Sequence, residues 1–146
     1  MSFQFPLAAV LRYRESLEER EHLTLERIQQ EIVRVEVRIH DAGENSSKAA
    51  QDRTTKLAQG ARAAEVQFVY EYLRAIDQQL VALRALLQES KTRWNQQLAC
   101  YQQARRNREA LEKLREKQLD AYNRERAKRE QAVIDDVFLS RRRRSN

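Results

Sequence analysis

From Val66 onward the apolar residues fall at intervals of three and four: Val66, Val69, Leu73, Ile76, Leu80, Leu83 and Leu87. The register continues through Ser90, Trp94, Gln97 or Leu98, Tyr101, Ala104, Arg108 and Leu111, with Leu114 and Tyr122 beside it. Earlier in the chain, Leu25, Ile28, Ile32, Val35, Ile39 and Ala42 repeat the same alternation. An apolar residue every 3.5 positions keeps one stripe of an α-helix turned toward a partner helix. Two such runs in one chain predict two long helices joined by a coiled-coil seam. Upstream of Leu25 the frame falters, because Arg14, Glu18 and Glu21 intrude among Leu7, Val10, Leu11 and Leu17. A local stutter accounts for this.

Composition excludes the main alternatives. The 146 residues include only 2 Gly and 1 Pro, whereas sheets joined by tight turns need such residues at special backbone positions. Ala, Leu, Glu, Lys and Arg supply 78 of the 146, a share that marks long-helix and coiled-coil chains. With 41% hydrophobic and 34% charged residues, a thin seam fits better than a thick core. The predicted fold class is all-α: two long helices forming an antiparallel coiled-coil hairpin with no globular core. Length fits a single domain over 1–146.

Pro6 suits a first helical position, where a missing N–H costs nothing, so helix one is read as about 6–57. Two turns compete: Gly43 with Glu44, Asn45, Ser46 and Ser47, or Gln59 with Gly60. A glycine inside a helix costs only about 1 kcal/mol, and Lys48 to Ala58 are good helix formers, so the turn is placed at about 58–63. Helix two then runs over about 64–138, with Arg141–Arg144 in a disordered basic tail over 139–146. In such a hairpin, paired residues have numbers summing to about 121. Ile39 meets Leu83, Ile28 meets Trp94 and Leu11 meets Leu111. At 1.5 Å per residue the helices are about 80 and 115 Å long, and the stretch from about Leu119 overhangs the N-terminus.

Motif inspection finds no P-loop, GxSxG, HExxH or glycine-rich dinucleotide turn, and a two-helix rod offers no water-excluding cavity. The protein is not expected to be an enzyme or to hold a cofactor. One cysteine, Cys100, excludes a disulfide framework, and His22 and His40 have no neighbouring cysteine, so no metal site is expected. No stretch approaches the ~20 apolar residues of a membrane span, and the opening residues lack a secretory signal. A cytoplasmic location is the expectation.

Charge is uneven. The net charge is +6; residues 1–60 carry nine Lys and Arg against ten Asp and Glu, and residues 61–146 carry nineteen against twelve. Such asymmetry suits an acidic partner, a membrane surface or nucleic acid, although alternating Glu and Arg also form solvated i,i+4 pairs. Phe68, Tyr72, Ala75 and Gln79 follow i, i+4, i+7, i+11 spacing, so they share a helix face offset from the seam of Val69, Leu73, Ile76 and Leu80. A two-helix hairpin buries one stripe per helix; a second stripe with two aromatics stays wet unless a partner covers it.

Three segments carry a family resemblance. Phe3-x-Phe5-x-Leu7-x-x-Val10-Leu11-x-x-Arg14-Glu15 opens the chain, and Phe68-x-x-x-Tyr72-Leu73-x-Ala75-Ile76 follows the turn. Leu111-Glu112-Lys113-Leu114 through Tyr122, Glu130, Asp135-Asp136 and a basic tail close it. In this order the chain resembles the flagellar FliJ family over essentially its whole length. Two features depart from the pattern: Asp135-Asp136 where Asp-Glu is usual, and Phe138 where a small residue is usual.

The resemblance implies a cytoplasmic part of the flagellar type III export apparatus, shaped like the central stalk of rotary ATPases and peripherally associated with the inner face of the membrane. It implies three kinds of partner: the hexameric export ATPase FliI, whose ring the stalk enters and activates, the export-gate protein FlhA, and export chaperones. Carried onto this chain, the gate-binding face falls on Phe68, Tyr72, Ala75 and Gln79. The ring contact is placed at the open end, where the pairing rule gathers Arg12, Arg14, Arg105, Arg106, Arg108, Arg115 and Lys117; arginine forks suit acidic loops. The same residues could instead form exposed ion pairs with Glu109, Glu112 and Glu116.

Alternatives are a YscO-type stalk of a virulence secretion system, a structural coiled coil that self-associates through its seam, and a basic nucleic-acid binder. Glu109, Glu112, Glu116, Asp120 and Glu125 interrupt the basic stretch and would repel phosphate, and no aromatic stacking platform is evident. No nucleic acid, no direct membrane insertion and a monomer in isolation are therefore expected.

Overall fold

The computed structural model describes residues 2–145. Two helices carry nearly all of them, α1 over Ala8–Ala58 and α2 over Ala63–Arg144. They pack against each other, and the described residues contain no strand. The fold is all-α.

Pro6 and Leu7 form a turn just ahead of α1. The Ala8 amide donates to the Phe5 carbonyl at 3.1 Å and the Leu11 amide to the Leu7 carbonyl at 2.9 Å, so the turn feeds directly into the helix. Gly43 lies inside α1, with open space where a side chain would begin. At the other end, Gly60 has a φ of 73°, a left-handed conformation that costs other L-residues energy. The Ala61 amide donates to the Lys56 carbonyl at 2.9 Å and the Gly60 amide to the Leu57 carbonyl at 3.3 Å. This pair of bonds is a Schellman cap, which satisfies carbonyls left over at the helix end. Arg62 then accepts from the amides of Glu65 (3.1 Å) and Val66 (3.3 Å), starting α2, and Glu65 complements the positive end of the helix dipole.

The structure departs from the sequence reading at the C-terminal end. Arg141–Arg144 are the last turn of α2 rather than a disordered tail; Asn146 lies outside the described residues. No Gly or Pro follows Gly60, arginine is a good helix former, and cations suit the negative end of the dipole.

The described chain falls into two units, Glu21–Tyr101 and the residues up to Arg20 together with those from Gln102 onward. Within Glu21–Tyr101, Ile32, Val35, Ala42, Val69, Ile76, Leu83 and Ser90 are buried. Val35, Ala42, Ile76 and Leu83 form one cluster, with Ile39, Leu80 and Leu87 packed against it. Ile28, Leu73 and Trp94 are half-buried along the same stripes. Fully burying one such side chain contributes about 1.5–3 kcal/mol, and here burial is confined to one stripe per helix. Ser90, 1% exposed, is the most enclosed residue; its hydroxyl accepts from Arg93 Nη2 at 3.3 Å. Arg93 also reaches Glu31 at 3.0 Å, and the His22 and Tyr101 rings lie 5.5 Å apart.

In the other unit, Phe5 and Leu11 are buried, and Leu17, Ala104, Leu111, Leu119 and Tyr122 are half-buried. Phe3 packs on Tyr122, with ring centroids 5.6 Å apart and planes inclined by 48°. The N-terminal segment therefore covers α2 as far as Tyr122, past Leu119. From Asn123 to Ser145 every residue is exposed.

Candidate docking surfaces

Near the Gly60 turn, Phe68 is 72% and Tyr72 46% exposed, on a face beside buried Val69. One turn of helix separates the two rings, and α1 supplies the facing wall. Together they line a groove of about 430 Å³ with Asn45, Lys48, Ala49, Asp52 and Lys56. Lys56 pairs with Asp52 at 3.3 Å, and Lys48 adds a further cation on the same wall. An apolar, partly aromatic floor with cationic edges suits a segment that carries apolar and acidic side chains. Ala75 and Gln79 are exposed on the same helix but lie outside this groove. The structure thus joins Phe68 and Tyr72 into one feature and leaves Ala75 and Gln79 as its continuation toward the middle of α2.

A second groove, of about 620 Å³, has Arg53, Leu57, Ala61, Ala63, Val66, Gln67 and Tyr70 around it. Tyr70 and Leu57 are both more than half exposed. Sequence reasoning passed over Tyr70; its i+4 spacing from Val66 was the available signal.

The basic residues of the open end separate into two groups. Arg12 and Arg115 line one groove, of about 560 Å³, with Phe3, Gln4, Phe5, Ala8, Leu11 and Glu15. Arg106 is exposed and donates to Gln103 at 3.1 Å, Lys117 is exposed, and Arg105 is tied to Glu109 at 2.9 Å. Arg14 is half-buried. Arg108 differs from all of these. It occupies a seam position between Ala104 and Leu111, donates to the Glu18 carboxylate, and places Nη1 2.6 Å from Glu112. The Glu18 hydrogen bond, opposed by desolvation and aided by Glu112, holds the Arg108 guanidinium above the usual arginine range. Its charge is neutralised inside the molecule, so Arg108 is withdrawn from the free basic surface. The 3,4 spacing already placed it in the seam.

Glu18 and Glu21, which break the apolar frame of α1, have matched partners. Glu18 meets Arg108, and the carboxylate and carbonyl of Glu21 both accept from the Gln97 amide, the carbonyl at 3.0 Å. Polar therefore faces polar where the heptad pattern lapses, and no buried side-chain N or O among the described residues lacks a partner. Cys100 is an exposed free thiol. Among the described residues no helix is long and apolar enough to cross a membrane, and no group of three His, Cys, Asp or Glu is placed to hold a metal ion.

Compared with known proteins, residues 3–146 match the family model described as the flagellar FliJ protein. No curated protein and no solved structure matches the chain.

Proposed function

The chain belongs to the flagellar FliJ protein family, and from that premise we propose that it is the stalk of the export machinery. In this reading the hexameric export ATPase FliI closes around the end of the hairpin that carries Arg12, Arg106, Arg115 and Lys117. Long cationic side chains contact acidic loops at several points without a deep pocket, which lets a ring rearrange around them. The groove of Phe68 and Tyr72 takes the export gate FlhA. Export chaperones use the remaining exposed faces, and the protein works at the inner face of the membrane.

The observation that carries this reading is the exposure of Phe68 and Tyr72 beside a seam that is complete without them. Two aromatic side chains left in water at one groove are what a hot spot of recognition requires. The test joins two measurements. Purified protein is added to the export ATPase while ring formation and ATP turnover are followed, and binding to the cytoplasmic part of the gate is measured for the native chain and for Phe68→Ala with Tyr72→Ala. The native protein stimulates turnover; the double variant keeps its helicity and stimulation but loses about 2 kcal/mol or more of gate affinity. Absent stimulation, or gate binding unchanged in the double variant, refutes the corresponding half of the reading.

A further inference from the structure

Within Glu21–Tyr101 the buried residues of α2 stand seven apart: Val69, Ile76, Leu83 and Ser90. The same interval separates Val35 from Ala42 on α1. A stripe that repeats every heptad presents nearly the same apolar surface after sliding by one heptad, about 10 Å along the axis. Apolar packing therefore fixes which faces meet more firmly than which residues meet. The turn supplies only part of what is missing, because shifting the reversal by half a heptad forfeits the Gly60 conformation and leaves no charge buried.

The polar contacts across the seam do not repeat. Gln97 of α2 donates to the carbonyl and the carboxylate of Glu21 of α1, and Arg108 donates to Glu18. The Arg108 and Glu18 side chains are only 20 and 16% exposed. Arg93 and Glu31, both 47% exposed, are screened by water and add little. Sliding α1 by a heptad in one direction sets Arg108 opposite Leu25 and Gln97 opposite Ile28. In the other direction Arg108 falls opposite Leu11 and Glu21 opposite Ser90. Either slip takes Arg108 away from Glu18 and leaves it only carboxylates of its own helix, Glu109 and Glu112. Breaking a shielded ion pair is costly, whereas exchanging one apolar neighbour for another is nearly neutral.

The groove of Phe68 and Tyr72 depends on the register. Its facing wall, with Lys48, Asp52 and Lys56, comes from α1, and a one-heptad slip carries that wall past the two rings by about 10 Å. We propose that the Glu21–Gln97 and Glu18–Arg108 pairs are positioning residues: they hold α1 and α2 in a single register and so fix which α1 side chains face Phe68 and Tyr72. This role holds whatever partner fills the groove.

The test is a distance within the full chain. Spin labels are placed on native Cys100 and on Arg38→Cys, both exposed positions within Glu21–Tyr101. Tyr101 packs beside His22, so Arg38 stands about four turns along α1 from the level of Cys100, and a slip of one heptad changes the separation by roughly 10 Å. The otherwise native chain gives one distance. Glu18→Leu, Glu21→Leu, Gln97→Leu and Arg108→Leu together keep the helicity and add a second population displaced by that amount. A second variant moves one carboxylate by a heptad: Glu18→Leu with Leu25→Glu sets it opposite Arg108 only in the slipped register, and the distance shortens by roughly 10 Å. A single unchanged distance in the quadruple variant overturns the proposal, as does an otherwise native chain that already shows two. Should the quadruple variant fail to fold, an unchanged distance in the second variant overturns it alone. Gate binding is measured separately with Phe68→Ala and Tyr72→Ala in the native register, so failure of either result leaves the other standing.

Discussion

Arg108 of α2 donates to Glu18 of α1 from a seam position, with Glu112 as its second partner one turn along its own helix. The seam there is closed by charge instead of by an apolar contact. Truncating Arg108 strands two carboxylates, one of them largely shielded; hydrogen bonds to charged groups contribute about 1.5–3 kcal/mol. Arg108→Ala is expected to destabilise by about that amount, read from denaturant unfolding. Arg108→Leu with Glu18→Leu recovers the loss or exceeds native stability, because an apolar pair replaces a desolvated ionic one at little cost. Arg108 itself adds no pH dependence in the working range. Its folded pKa is raised above the ordinary arginine range by the Glu18 hydrogen bond, so its contribution is fully present at any pH below that range and lost only as pH climbs beyond it.

The two glycines respond oppositely to the same change. Gly60→Ala forces a Cβ into a left-handed backbone at φ 73° and is expected to cost about 1–2 kcal/mol. Gly43→Ala meets open space in mid-helix and is expected to gain about 0.5–1 kcal/mol. Thermal melts of the two single variants check the signs; a stabilising Gly60→Ala contradicts the Schellman turn.

Phe5 holds the N-terminal segment against α2. Phe5→Ala is expected to cost about 2–3 kcal/mol, below the usual core range because the groove around it is open. Phe3→Ala, which loses the Tyr122 ring contact, costs about 0.5–1.5 kcal/mol. Hydrogen exchange should quicken over residues 8–17 and 104–122 in the Phe5 variant.

Charge reversal separates a docking arginine from a packing one. Arg106→Glu with Arg115→Glu changes exposed residues, so stability moves by no more than about 0.5 kcal/mol, while ATPase stimulation falls sharply. Arg108→Ala shifts the unfolding midpoint first. Stimulation that survives the double reversal means the ring grips elsewhere.

Periodicity was legible where the side chains opposite were also apolar. The stripe Val69, Ile76, Leu83 and Ser90 is buried on the register read from spacing, and Gly60 has the positive φ that only a turn requires. The intruding residues Glu18 and Glu21 were legible as exceptions but not as partners, since nothing local in α1 says that Arg108 and Gln97 lie opposite. Arg108 carries both signals, a basic side chain and a seam position, and only the carboxylate of Glu18 opposite it decides between them. At the C-terminal arginines helix replaces the expected tail, because a helix without Gly or Pro has no stop there.

The sequence by itself determined two helices and the stripe each one buries, because these follow from local spacing; it left Gly43 and Gly60 competing for the turn, and the backbone angle at Gly60 separates them. Tertiary structure decided which charges are spent inside the seam, which aromatics stay in water and how far the N-terminal phenylalanines reach along α2. Those depend on what residues distant in the chain place opposite, and burial is a property of the pair rather than of either residue.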